Sequence, residues 1–141
     1  MTVAIQLAGA FFGSMGFALL FGLPRRYLFA ASLGGLLAWA VYMLADRTLH
    51  AAFLGNLLAA AFSVVYSEAL ARFLKTPATL FLTTAILPLV PGGSLYETLG
   101  HAVRGEMELM RSCGNVTLNT ALAIAVGISI VLAIRELRPR G

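Results

Sequence analysis

Cysteine and charge are both scarce in this chain. One cysteine, Cys113, occurs in 141 residues. That excludes an intrachain disulfide framework and structural zinc sites built on two or more cysteines. Charged residues make up 11% of the chain, against roughly 25% in an ordinary soluble domain. Catalytic signatures are missing too: there is no Ser-His-Asp, Walker or paired-carboxylate motif. His50 and His101 do not share a metal-ligand spacing. Met107, Met110 and Cys113 form a soft-donor group without a second cluster, and they read as packing. No metal and no other cofactor is implied.

Apolar surface is what the chain has. Hydrophobic residues make up 60% of it, and its mean hydropathy is +0.89. A small soluble domain leaves too much of its surface in water to hide that much. A soluble enzyme and a disordered chain are excluded. The pI near 9.8 comes from ten basic residues scattered between apolar runs. Nucleic-acid binding needs a clustered basic face instead, so no nucleic-acid partner is expected. Membrane lipid is.

Charge position divides the chain. Uncharged runs extend over 1–24, 27–45, 48–67, 76–96 and 112–134. Each approaches or exceeds the ~20 residues that a helix needs to cross ~30 Å of hydrocarbon. The expected fold is an all-α, polytopic membrane helix bundle in one domain. Its segments lie near 3–23, 27–45, 50–67, 77–93 and 116–134, with the fourth broken at Pro91-Gly92-Gly93. The first run lacks a basic n-region and is too long for an h-region, so it reads as a retained helix. Five crossings put Arg25, Arg26, Arg72, Lys75, Arg135, Arg138 and Arg140 on one side. Arg47, Arg104 and Arg111 fall on the other. The positive-inside rule then places the C-terminus in the cytoplasm and the N-terminus outside a bacterial-type cytoplasmic (inner) membrane.

Small residues recur at helical spacing: Gly9, Gly13 and Gly16; Gly55, Ala59 and Ser63; Asn119, Ala123 and Gly127. In lipid such stripes let helix backbones approach closely. Asn56 and Asn119 need hydrogen-bond partners, as glue between helices or, for a minority role, as substrate contacts. Trp39, Tyr42 and Tyr66 read as interfacial anchors.

The fourth segment carries the most information. Thr76 and Pro77 read as an N-cap with proline at the first helical position. Pro88 cannot donate to the Thr84 carbonyl, nor Pro91 to that of Leu87. Gly92 and Gly93 permit a turn. Ser94 and Glu97 have the S-x-x-E spacing of a capping box, which predicts a new helix from about 95 to 112. A break of this kind is costly in lipid unless protein or a wet cavity surrounds it. Transporters use it: freed carbonyls hold a cation, and amides at the start of the next half-helix hold a carboxylate. On the following helix Glu97, His101, Arg104, Glu108 and Arg111 share one stripe, which reads first as a solvated face. Glu97–His101 and Arg104–Glu108 are i,i+4 pairs. Glu106 falls on the apolar side, where an isolated carboxylate is a candidate proton or cation site.

The run from Phe17 to Arg26, the run from Ile86 to Tyr96, Gly105-Glu106 and the stretch from Asn119 to Ile128 resemble the threonine/serine exporter family in order and spacing. The resemblance covers residues 10–135 and is to the family's C-terminal membrane half, in its split, small-subunit form. It implies export of threonine, serine or a small dicarboxylate, and a larger membrane subunit as partner. Fusing two five-helix halves would invert one relative to the other, as in many secondary transporters. A homo-oligomer is a further possibility.

The resulting expectation is a non-enzymatic subunit of a secondary exporter. Pro91, Gly92, Gly93, Ser94, Tyr96, Glu97 and Asn119 are the candidate substrate-binding residues. Glu106 or Glu97 is the candidate coupling acid. A structural or assembly subunit without a transport site is the alternative, and a membrane enzyme using His101 ranks behind both.

Overall fold

The computed structural model describes residues 2–138, so Arg140 lies outside the described residues. It contains six α-helices: α1 (Val3–Leu20), α2 (Arg25–Leu49), α3 (Ala52–Leu74), α4 (Ala78–Ile86), α5 (Gly92–Arg104) and α6 (Met107–Leu137). A 3-10 turn, Leu87–Leu89, follows α4. Among the described residues, α1, α2, α3 and α6 are each long and apolar enough to cross a membrane, and α4 and α5 pass the same test only together, as one bent pair with the form of a broken span or a re-entrant turn.

Local sequence explains the helix ends. After α1, Gly22 takes the left-handed conformation at φ 71°. The Leu23 N–H then reaches the Ala18 carbonyl and the Gly22 N–H that of Leu19, which is a Schellman closure. Pro24 precedes α2, since it cannot continue a helix. α2 and α3 end on left-handed His50 and Lys75. Arg47 and Arg72 in the last turns suit the negative ends of the helix dipoles. The proposed N-cap at Thr76 is displaced: Pro77 itself takes that place without a side-chain cap. The Thr76 hydroxyl donates to the Leu74 carbonyl instead.

Small residues make the helix contacts, because lipid tails compete with any bulky apolar side chain and close approach is what favours protein. Ala18, Ala31, Ala38, Ala59, Ala60 and Ala85 are fully buried. A Cβ at Gly34 would meet the Tyr66 ring at 2.7 Å, and one at Gly55 the Tyr42 ring at 3.2 Å. Ser14 of α1 seats its side chain against Gly35 of α2, and the Leu57 carbonyl of α3 presses on Gly127 of α6. The Gly55-Ala59-Ser63 stripe is therefore a packing face. So are Ala123 and Gly127, but Asn119 of the same stripe is exposed.

Buried polar groups are satisfied mainly within their own helices. Ser32, Ser63 and Ser67 each donate to the carbonyl four residues back at 2.7–2.8 Å. The Asn56 amide nitrogen does likewise, to Ala52 at 2.9 Å. The interhelical role expected of Asn56 is thus filled locally, because a helix carbonyl is always within its reach. Tyr66 ties two helices together: its hydroxyl donates to the Ala30 carbonyl of α2 at 2.8 Å. Trp39 and Tyr42 pack on each other, with ring centroids 4.9 Å apart.

Leu23, Tyr27, Leu70 and Phe81 meet in one cluster, and Arg135 of α6 pairs with Glu68 of α3 at 2.7 Å. The end of α1, the start of α2, the ends of α3 and α6 and the start of α4 therefore share one end of the bundle. Gly127→Ala should lower the thermal midpoint in detergent through about 1–3 kcal/mol of overpacking, because its Cβ meets rigid backbone. Gly93→Ala, where nothing lies within 4 Å, should not lower it.

Candidate functional site

The break occurs where the prolines require it, with a different local form from the expected one. Leu87–Leu89 tightens into a 3-10 turn around Pro88 and Val90 becomes extended. The two parts of the span meet at 54°. α5 starts at Gly92, with Pro91 at its N-cap. The Pro91 carbonyl accepts the Leu95 N–H at 3.0 Å, so the helix is already under way at Ser94. The Ser94–Glu97 capping box does not form. The Ser94 hydroxyl donates to the Pro91 carbonyl at 3.2 Å rather than accepting an N–H. Gly92 and Gly93 are helical, without positive φ. The prolines alone make the bend.

The second correction concerns the end of that helix. The expected helix 95–112 stops at Arg104, because Gly105 adopts φ 74° and closes it. Without a Cβ, glycine enters this region at little cost. The chain reverses, and 107–112 become the first turns of α6. The single charged stripe is therefore split: Glu97, His101 and Arg104 stay on α5, while Glu108 and Arg111 belong to α6. The predicted Glu97–His101 and Arg104–Glu108 pairs are absent from the ion pairs among the described residues.

α5 packs on α6, and the two helices meet along a polar seam. Ser94 and Thr117 hydroxyls lie 3.1 Å apart. Cys113 Sγ donates to the Glu97 carboxylate at 3.8 Å. Thr98 donates to the Ser94 carbonyl at 2.6 Å, and its methyl lies 3.5 Å from where Gly114 lacks a Cβ. At the turn, Glu106 accepts from His101 Nδ1 at 2.5 Å and from Arg104 Nε at 3.1 Å. The tautomer that bonds Glu106 carries its proton on Nδ1. Arg104 Nη2, 3.1 Å from the same nitrogen, is then an electrostatic neighbour of that ring.

α5 is amphipathic and buries no residue, and its polar side lies partly against α6. Ser94, Glu97, Thr98 and His101 turn toward α6. Leu95, Tyr96, Leu99 and Val103 are exposed, Val103 at 89%. The solvated-face reading holds for Glu97 and Arg104 of the α5 stripe, which stay exposed, while His101 is half-buried against Glu106. Glu106 is not an isolated acid on an apolar side. It sits at the N-cap of α6, doubly bonded, and is exposed.

Of the candidate residues, the structure brings Pro91, Gly92, Gly93, Ser94 and Glu97 to the break and the seam, and Glu106 to the far end of the hairpin. Tyr96 points outward on α5, 79% exposed. Asn119 is two residues beyond Thr117 and so on another side of α6. Thr117, Cys113, Thr98 and His101 complete the seam. Their signal is the i,i+4 repetition of Ser94–Thr98, Glu97–His101 and Cys113–Thr117 on either side of Gly105.

A family model described as "Threonine/Serine exporter, ThrE" matches residues 6–134. The chain belongs to the threonine/serine exporter family. No curated protein and no solved structure matches it. Membership in this exporter family places the chain with membrane transporters. It also gives the bent span a context: in transporters, broken backbone is tolerated where protein or a cavity surrounds it.

The Glu106 carboxyl is held below its ordinary range, first by the His101 hydrogen bond and then by Arg104. A depressed carboxylate contributes stability above its unfolded pKa, roughly 4.3, and loses it as pH falls through the folded value. Thermal midpoints of wild type and Glu106→Gln should therefore differ at neutral pH and converge below about pH 4. A gap that persists unchanged in acid would contradict the pairing.

Proposed function

We propose that this chain is one membrane subunit of a secondary exporter for threonine and serine or for a small dicarboxylate, acting with a larger membrane subunit. The observation that carries the reading is the broken span whose second half lays a hydrogen-bonded seam on α6, in a chain of this family. Five spans per subunit would let a second five-span unit sit inverted beside it.

We place the substrate site at Pro91, Gly92, Gly93, Ser94 and Glu97, with the outward Tyr96 and Asn119 facing the partner. Leu95 is the first α5 residue to bond back to the Pro91 carbonyl. The N–H groups of Gly93 and Ser94 precede it and are the donors that a helix start leaves unpaired. They suit a carboxylate, which amino acids and dicarboxylates both present. The missing side chains of Gly92 and Gly93 let it approach. Glu97 suits proton carriage better than Glu106. Its partner is a thiol, a weak donor, whereas Glu106 is held as an anion by two donors.

The orientation follows the same logic. The end of the bundle that gathers Arg25, Arg26, Arg72, Lys75 and Arg135 is placed in the cytoplasm of a bacterial-type inner membrane, with the N-terminus outside. One observation favours the second reading, an assembly subunit: the exposed apolar face of α5 is a surface that a partner could cover.

Efflux of threonine, serine and succinate from loaded cells separates these readings. Gly92→Leu should reduce efflux about tenfold or more; nothing lies within 4 Å of its Cβ position, so the fold accommodates the change. Glu97→Gln should do the same, and Glu106→Gln less. Efflux unchanged in both Gly92→Leu and Glu97→Gln would overturn the site. Full efflux by this chain alone would overturn the two-subunit arrangement.

A further inference from the structure

A groove of about 290 Å³ opens between α3 and α6, near the C-terminal ends of both helices. Part of its wall is apolar: Val65 and Ala69 from α3, Val131 and Ile134 from α6. Val65 is 56% exposed and Ile134 63%. The rest is charged: Glu68 and Arg72 from α3, Arg135 from α6 and Arg138 at its C-cap. Helical order grades the groove from one character to the other. The uncharged runs of the two helices stop at residues 67 and 134. Val65 and Val131 lie within those runs, about one turn deeper than Glu68 and Arg135. Arg72 and Arg138 lie about one turn farther out.

The charges in the groove do not balance. Arg135 is committed, since its Nη1 donates to Glu68 Oε1 at 2.7 Å. Arg72 and Arg138 belong to none of the ion pairs among the described residues. Two cations are therefore left at the mouth with no carboxylate of the groove to meet them. The helix ends cannot draw an anion here, because their free carbonyls are negative. The guanidiniums reverse that sign. Their apolar stems can lie along the groove while the heads stay in the interface. Apolar at depth and cationic at the mouth, at the level where two hydrophobic runs stop, the groove has the polarity of an amphiphile with an anionic head. A free anion would leave the apolar wall unused, and a neutral lipid would leave the arginines unmet.

We propose that the α3–α6 groove is a binding site for an anionic phospholipid. The lipid phosphate sits between Arg72 and Arg138, and an acyl chain lies along Val65 and Val131. A guanidinium presents paired N–H donors that match phosphate oxygens. Basic pockets between membrane helices hold lipid head groups by the same chemistry. Ala69 has the smallest side chain in the groove and leaves room for the chain to enter. Arg25 and Arg26 share this end of the bundle but do not line the groove, so they add to the surface charge without forming the site. The groove involves neither the α4 break nor the α5–α6 seam. It stands or falls independently of the transport reading.

Native mass spectrometry of the full chain in detergent tests it, with phosphatidylglycerol, phosphatidylcholine and inorganic phosphate as probes. Phosphatidylglycerol should stay bound as a single adduct about tenfold more tightly than phosphatidylcholine, or better. Inorganic phosphate should not displace it. Arg72→Gln combined with Arg138→Gln should weaken the adduct about tenfold or more. Ala69→Phe, which fills the groove at unchanged charge, should weaken it severalfold. Arg25→Gln combined with Arg26→Gln removes the same charge from the same end and should leave it unchanged. Each altered side chain is exposed, so helical circular dichroism should be the same in all variants. Equal retention of phosphatidylcholine, an adduct indifferent to Arg72→Gln with Arg138→Gln, or equal losses in the two double variants would each overturn the site. Displacement by inorganic phosphate would assign the arginines to a free anion and overturn the lipid.

Discussion

Two missing backbone donors govern the functional half of this molecule. Pro88 and Pro91 carry no N–H, so the α-helix that starts at Ala78 cannot run on through the membrane. Residues 87–89 tighten into a 3-10 turn, and the chain restarts at Gly92 on an axis bent by 54°. The bend lays α5 on α6. Everything at the seam depends on that placement: Ser94 reaches Thr117, Glu97 reaches Cys113, and the reversal at Gly105 gathers His101, Arg104 and Glu106. Straighten the span and the Ser94–Thr117 and Glu97–Cys113 contacts would be lost.

The other half of the molecule is held by an opposite device, the absence of side chains. Glycine and alanine bring α2 close to α1, α3 and α4, and α6 close to α3. The hydroxyls of Ser32, Ser63 and Ser67, buried in those contacts, fold back onto their own helices. The bundle is thus tight where α2 and α3 lie at its centre. Its outer faces carry exposed apolar side chains on every long helix, as contact with lipid requires. An amphipathic helix that turns its polar face to a neighbour and its apolar face outward is unsuited to water, and suited to lipid or to a membrane partner.

Much of the architecture was legible because it is local. Uncharged runs marked the spans, Pro88 and Pro91 marked the break, and residues 86–96 carried the family resemblance that the match over 6–134 bears out. What was misread was local as well, but ambiguous. Ser94 and Glu97 have the spacing of a capping box, yet Pro91 starts the helix three residues earlier. Gly105 was passed over as part of a continuous helix, although a glycine after Arg104 is a standard stop. That single position moved Glu108 and Arg111 to another helix and turned Glu106 from a lone acid into a paired one.

Taken alone, the sequence determined that the chain lives in a membrane, how many times it approaches a crossing, and where its fourth span must break. Hydropathy and proline chemistry act within a turn or two of helix, and no tertiary contact can restore a missing N–H. Only the tertiary structure decided which face of α5 is covered, which acid is paired, and which glycines have a neighbour. Those are relations between helices, set by bends and close approaches that periodicity along one helix does not encode. Asn56 and Asn119 show the difference: the same side chain, in helices of similar character, is tied to its own backbone in one case and left facing outward in the other.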